Sequence, residues 1–188
     1  PLVSILPGSR PIELKFLAKT FIKAAKTLQK KHPEIQFCIS HAPNLSDGIF
    51  DKYIHDTDFK VIKGENQALL SVSDSLILAS GTVALEASLY QVPLLIGYKG
   101  PWILYLLYLL FRCIKNVSLP NIVTGEDIVP ELIQAKFNVD NICYETERFL
   151  YNKEYREKMI TELGKVRTKL SDKYSAQEVA EEIIRALS

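Results

Sequence analysis

Two segments of the chain combine small residues with groups that bind phosphate. The first is LPGSR, residues 6–10, in which a glycine turn follows an apolar run and Arg10 stands where a helical pattern begins. Unpaired amide N–H groups at the start of a helix and a planar guanidinium both stabilise phosphate oxygens. Ser9 and Arg10 are therefore candidate phosphate ligands. Taken alone, the segment is explained more simply as a turn beside a surface arginine.

The second segment is ASGTVALEA, residues 79–87, which again leads from an apolar run through glycine into a helical pattern. Gly81 lets a ligand approach the backbone, and Thr82 offers both an amide and a hydroxyl to phosphate. Glu86 follows one helical turn later on the same side, where its carboxylate can accept hydrogen bonds from two vicinal sugar hydroxyls. A solvated glutamate on a helix face explains Glu86 equally well.

A third candidate joins VSLPN, residues 117–121, to VPELIQ, residues 129–134. A turn fixed by proline leads to Asn121, and a helix over VPELIQ would place Glu131 and Gln134 on one face. Three polar groups would then line one side of a cleft. The residues alone favour the plainer reading of a loop followed by a capped helix.

Short apolar runs without polar alternation indicate the strands that position these residues. Such runs are typical of a parallel sheet whose two faces are both covered by helices. The sequence therefore predicts an α/β fold, a Rossmann-like parallel sheet of about five strands with helices on both faces. The runs occupy residues 2–6, 35–40, 59–62, 75–79 and 93–96.

The helical patterns lie between and after these runs. From Ile12 to the residue before Pro33, apolar residues recur every three or four positions, and four lysines lie off this stripe. After residue 138 the strand signals end and helical spacing continues. We expect one domain over residues 1–138 and two or three closing helices over 139–188. These helices pack on the domain or exchange between subunits in a homodimer.

Composition excludes several classes of protein. Lysine and arginine number 23 against 22 acidic residues, for a net charge of +1, so no nucleic-acid partner is expected. Cys38, Cys113 and Cys143 form no C-x-x-C pair, which favours a reduced cytoplasmic protein without a metal site. The chain opens on an apolar strand pattern without signal-peptide features, and we expect it to be cut from a longer protein.

An apolar segment at residues 101–111 has a basic flank. It is too short to span a bilayer, which takes about 20 helical residues. One interpretation places it in the membrane interface, with Trp102, Tyr105, Leu106 and Arg112 in contact with lipid. A helix buried in the core or at a subunit contact is the equally weighted alternative.

Four segments together resemble one family. LPGSR, SDSLILASGTVALEA, VPLLIGYK and VSLPNIV followed by VPELIQ are similar, in this order and spacing, to lipid-A-disaccharide synthase over nearly the whole chain. The resemblance implies a GT-B glycosyltransferase, in which two Rossmann-like domains face each other across a cleft. This chain resembles the second, donor-binding half, and the N-terminal acceptor domain is absent from it.

The resemblance also implies roles for the candidate residues, with no cofactor and no metal. Arg10 would stabilise the leaving diphosphate, and the general base would lie in the missing N-terminal half. Many relatives are expected to carry arginine where this chain has Glu126, so a phosphate contact there is in doubt. Ser9 and Arg10 would meet the UDP diphosphate, Gly81 and Thr82 would lie against it, Glu86 would hold ribose, and Asn121, Glu131 and Gln134 would line the donor or acceptor side.

The implied reaction is an inverting hexosyl transfer in lipid A biosynthesis. A 2,3-diacylglucosamine would pass from its UDP donor to 2,3-diacylglucosamine 1-phosphate with release of UDP, at the cytoplasmic periphery of the inner membrane of a Gram-negative bacterium. This fragment alone would be inactive. Two alternatives stay open: the donor domain of another UDP-GlcNAc-using GT-B enzyme, and an isolated, non-catalytic UDP-binding module.

Overall fold

A single six-stranded parallel sheet forms the centre of the molecule. The computed structural model describes residues 1–101, 116–171 and 183–186. The strands follow the order β3-β2-β1-β4-β5-β6, and all five pairings are parallel. Their bounds are β1 Leu2–Leu6, β2 Gln36–His41, β3 Lys60–Lys63, β4 Ser75–Ala79, β5 Leu94–Tyr98 and β6 Glu131–Ile133.

Helices connect the strands and close the described part of the chain. The longest, α1, starts at a proline, whose missing N–H costs nothing in the first helical turn. The helices are α1 Pro11–Lys31, α2 Asp51–Ile54, α3 Asn66–Val72, α4 Val83–Leu89, α5 Leu119–Thr124, α6 Val139–Tyr151 and α7 Lys153–Ser171. A 3₁₀ turn spans Gln134–Lys136, and residues 183–186 are helical.

Burial along the central strands confirms the predicted fold class. Every residue of β4 is buried, as are the last four of β1 and the first four of β5. Because successive strand residues point to opposite faces, the sheet must be covered on both. The covering helices contribute residues such as Phe21 and Phe149, which are fully buried in the core.

The predicted strands agree with the structure within a residue or two, and two of them agree at both ends. The sixth strand was missed, and the helix expected over VPELIQ is wrong. Glu131–Ile133 instead pairs with β5, with Ile96 opposite Glu131. A three-residue edge strand is too short to reveal an alternating pattern, and apolar residues spaced around Pro130 fit either type of element.

The closing helices lie against their own chain. Helix α6 packs on α1 and on strands β4 and β5, while α7 contacts α4, α5 and α6. The division at residue 138 and the exchange of these helices between subunits stay predictions. None of the described helices is long and apolar enough to cross a membrane.

Two of the three cysteines fall within the described ranges. Cys38 and Cys143 are free thiols there, and burial raises the pKa of Cys143 to about 11. Cys143 is therefore a protonated thiol at neutral pH, and a protonated thiol is a poor nucleophile and metal ligand.

Candidate functional site

The carboxyl ends of β1, β2 and β4 surround a cavity of about 350 Å³. We call it the donor cavity, after the role that the resemblance described above implies for this chain. In open α/β sheets this edge is where ligands bind. The structure brings together there five residues that the sequence predicts for binding: Ser9, Arg10, Gly81, Thr82 and Glu86 all line the cavity.

The loop from β1 to α1 is built around Glu13. Gly8 has a φ of +110°, and a Cβ at this position would overlap the Glu13 carboxylate, so only glycine fits. Oε2 of Glu13 accepts hydrogen bonds from the amides of Ser9 and Arg10, at 3.0 and 3.2 Å. The Arg10 guanidinium lies 3.5 Å from the same carboxylate. Because the Arg10 side chain is 76% exposed, its guanidinium can also reach a ligand.

The loop from β4 to α4 supplies donors of a different kind. In the part of the chain that the structure describes, the amides of Gly81 and Thr82 donate to no protein oxygen. Such amides bind an anion without first losing a partner. Glu86 lies one helical turn further along and is exposed, and its carboxylate makes no hydrogen bond to any described residue. Its carboxylate can therefore accept hydrogen bonds from a ligand's hydroxyl groups.

Three polar lining residues, all outside the two glycine loops, escaped the sequence analysis. Ser40 lies one residue before the end of β2 and donates from Oγ to Oδ1 of Asn66, 2.5 Å away, at the start of α3. Glu13 is the third. Only the strand order places Ser40 and Asn66 beside the glycine loops. The spacing of Glu13 from Ser9 and Arg10 is that of a helix-capping glutamate, a signal that the sequence does contain.

The VSLPN segment forms a polar network within the protein. Asn121 is 1% exposed; its Oδ1 accepts from the amides of Ile128 and Val129, both at 2.9 Å. Its Nδ2 donates to the Val129 carbonyl and, at 2.9 Å, to Glu131. The Glu131 carboxylate also accepts from the amides of residues 117 and 118 and from the Ser118 hydroxyl. These bonds tie α5 to the edge strand β6.

The remaining predicted residues of this segment lie apart. Gln134 is buried and donates from Nε2 to the Gly100 carbonyl at 3.2 Å. It shares no helix face with Glu131, because Glu131 lies in β6 and Gln134 begins the 3₁₀ turn that follows. Glu126 accepts a hydrogen bond from Lys165 at 2.9 Å, and this bond lowers the pKa of the Glu126 carboxyl below its ordinary value. Position 126 is therefore a carboxylate paired with Lys165, and it offers no cation to a phosphate group.

A second cavity, of about 700 Å³, lies between the α5–β6 connection and helices α6 and α7. It is the larger of the two, and Asn121 and Glu131 belong to its wall. Because an excess of carboxylates repels an anion, this larger cavity is the less suitable of the two for a phosphate group. The lining of this larger cavity carries one ammonium group, that of Lys158, against the carboxylates of Glu126, Asp127, Glu131, Glu145 and Glu162.

The proposed lipid contacts fall on a segment that the structure leaves undescribed. Trp102, Tyr105, Leu106 and Arg112 all lie outside the described residues, as does Cys113. The two interpretations of this segment, interfacial and buried, both stay predictions.

The parallel sheet, with a cavity at the carboxyl edge between two glycine loops, is the architecture of one Rossmann-like half of a GT-B glycosyltransferase. Solved structures agree at the level of fold. UDP-GlcNAc 2-epimerase from Neisseria meningitidis, solved with UDP-GlcNAc, matches 92% of this chain and 45% of its own, with a TM-score of 0.59 and 18% identity. The glycosyltransferase SnogD from Streptomyces nogalater matches all of this chain and 42% of its own, with a TM-score of 0.55 and 16% identity.

The family is set by sequence. The model of the lipid-A-disaccharide synthetase family matches residues 1–184, and the chain belongs to this family. The lipid-A-disaccharide synthase of Anaeromyxobacter dehalogenans is 35% identical over 185 residues, which cover 97% of this chain and 48% of the relative. The chain thus spans about half the length of the curated relatives it matches. The family predicted from the four sequence segments is confirmed.

Proposed function

We propose that the complete protein transfers 2,3-diacylglucosamine from its UDP donor to the 6-hydroxyl of 2,3-diacylglucosamine 1-phosphate, and that this chain binds the UDP part of the donor. One observation carries the proposal: the Arg10 guanidinium, the amides of Gly81 and Thr82 and the Glu86 carboxylate line one cavity. This set offers cationic and N–H groups to a diphosphate and an acceptor to a ribose.

The proposed chemistry is electrostatic. Negative charge grows on the diphosphate as its bond to the sugar C1 breaks, and preorganised donors directed at such charge lower the barrier. Arg10 and the amides of residues 81–82, which have no acceptor among the described residues, are these donors. A general base must also remove the proton of the acceptor hydroxyl, and we place it in the part of the protein that lies outside this chain. Without that part the chain is inactive in this proposal.

The ribose assignment gives the first test. If Glu86 accepts bonds from the ribose hydroxyls, the complete protein binds UDP about tenfold more tightly than 2'-deoxy-UDP, because a hydrogen bond to a charged group is lost. Glu86→Ala then erases the difference between the two nucleotides. Titration calorimetry with both ligands measures it.

The control for this test is Glu154→Ala, which removes an exposed carboxylate that does not line the donor cavity. It leaves the preference for UDP intact. Equal affinities of the unmodified protein for UDP and 2'-deoxy-UDP would remove Glu86 from the ribose site.

We also propose that the protein works at the cytoplasmic surface of the inner membrane. A row of cations on α1, which we call the lysine ridge, supports this. At 3.6 residues per turn the five lysines fall within about 80° of arc and extend over about 22 Å. Only one of them pairs with a carboxylate of the described residues, that of Asp56. The ridge consists of Lys15, Lys19, Lys23, Lys26 and Lys30, all exposed except the half-buried Lys26.

Anionic vesicles test this membrane proposal. Each lysine near an anionic surface contributes about 1 kcal/mol of attraction, so Lys19→Gln with Lys23→Gln weakens binding to phosphatidylglycerol vesicles about tenfold or more. Cosedimentation at low and high salt measures the effect. The control changes Lys153 and Lys158 of α7, both exposed, to glutamine. Equal losses in the two double variants would contradict a role for the ridge.

A further inference from the structure

The amides at the start of α1 already hold an anion that belongs to the protein. Oε2 of Glu13 accepts from the Ser9 and Arg10 amides at 3.0 and 3.2 Å, and Oε1 lies 3.5 Å from Nη1 of Arg10. The Glu13 side chain is 26% exposed and lines the donor cavity. A carboxylate thus occupies donors that a phosphate group would use.

Two anions cannot share these donors, because each amide has one hydrogen and like charges in contact repel. The loop at residues 81–82 differs, because its two amides have no hydrogen-bond acceptor among the residues described. A diphosphate that reaches from one loop to the other therefore meets free donors at one end and occupied donors at the other.

We propose that Glu13 is an internal competitor of the donor's diphosphate, an inference that rests on the function proposed above. Glu13 holds the Gly8–Arg10 loop in place before the donor binds, and it gives up the amides and Arg10 when the diphosphate enters. After transfer, the returning carboxylate competes with the bound UDP and speeds its release. Glu13 therefore positions Arg10 and also sets the affinity of the cavity for anions.

A purely structural role of Glu13 as a helix cap predicts a different change in UDP affinity. A glutamate at the third helical position is a common cap of helix starts, and as a cap alone Glu13 would only stabilise the loop that carries Arg10. Loss of its charge would then leave UDP affinity unchanged or reduced. Competition predicts a gain, so the sign of the effect separates the two roles.

The test is Glu13→Gln in the complete protein, because glutamine keeps an oxygen that can cap the amides but removes the charge. We expect UDP to bind about tenfold more tightly, the scale of a hydrogen bond to a charged group. UMP gains less and uridine gains nothing, because the competition acts on phosphate. Titration calorimetry gives the three affinities, and the melting temperature stays close to that of the unmodified protein.

The matched control is Asp58→Asn, which removes one carboxylate charge at the other end of α1, where Asp58 accepts a hydrogen bond from Gln29 at 2.7 Å. This variant leaves all three affinities unchanged. Unchanged or weaker UDP binding by Glu13→Gln, or an equal gain for uridine, overturns the inference while the proposed function stands. Failure of the unmodified protein and of both variants to bind UDP overturns the proposed function and the inference with it.

Discussion

Replacing Arg10 with alanine in the complete protein is expected to lower turnover by about 10²-fold or more, the loss that follows removal of one preorganised donor from a developing charge. Arg10 is the cation placed at the diphosphate in our proposal, and its side chain is 76% exposed. Folding should therefore change little. The rate of UDP release and the melting temperature, measured on the same preparation, separate a catalytic loss from a structural one.

Two further variants refine the test of Arg10. Arg10→Lys recovers only part of the rate, because an ammonium keeps the charge but loses the planar fork that meets two phosphate oxygens. Arg167→Ala removes an exposed guanidinium on α7 that does not line the donor cavity, and it keeps full turnover. Unmodified turnover in Arg10→Ala would show that Arg10 is only a surface residue beside a turn.

The largest loss of stability is expected for Asn121→Ala. The side chain is buried and makes four hydrogen bonds, to the amides of Ile128 and Val129, the Val129 carbonyl and Glu131. Alanine leaves these partners unsatisfied inside the protein, and each buried unsatisfied group costs about 1–3 kcal/mol. We expect the free energy of unfolding to fall by about 3 kcal/mol or more, measured by urea denaturation.

The neighbouring residue supplies the control. Ile122 is 51% exposed in the same helix, and Ile122→Ala should change the unfolding free energy only slightly. The stability of Asn121→Ala also separates two roles of Asn121: a structural role in the hydrogen-bond network, and the ligand contact that the family resemblance implies. A variant that folds as stably as the unmodified protein but binds donor weakly would contradict the structural role.

Much of the fold could be predicted because its central strands are buried on both faces. The bounds of β1 and β4 were predicted at both ends, since runs without alternation end at clear breakers such as Pro7 and Gly81. Strand β6 could not be predicted in the same way. It has three residues at the edge of the sheet, and what fixes it is pairing with β5, a tertiary contact that no local pattern encodes.

The site was predicted in part for a similar reason. Ser9, Arg10, Gly81, Thr82 and Glu86 come from two loops whose strands are neighbours in the sheet, so local signals placed them at one edge. Residues brought there by the strand order alone were missed, and so was the carboxylate that holds two of the predicted amides. Polar residues among apolar ones marked the VPELIQ segment as unusual. The sequence did not reveal that the carboxylate of Glu131 accepts hydrogen bonds from the protein itself.

In our proposal the donor cavity holds the UDP diphosphate, and a crystal structure of the complete protein with UDP would decide whether it does. We expect phosphate oxygens within hydrogen-bonding distance of the Arg10 guanidinium and of the Gly81 and Thr82 amides, with the ribose hydroxyls on Glu86. A diphosphate bound instead in the larger cavity, between the α5–β6 connection and helices α6 and α7, with Arg10 still facing solvent, would contradict the proposed binding site.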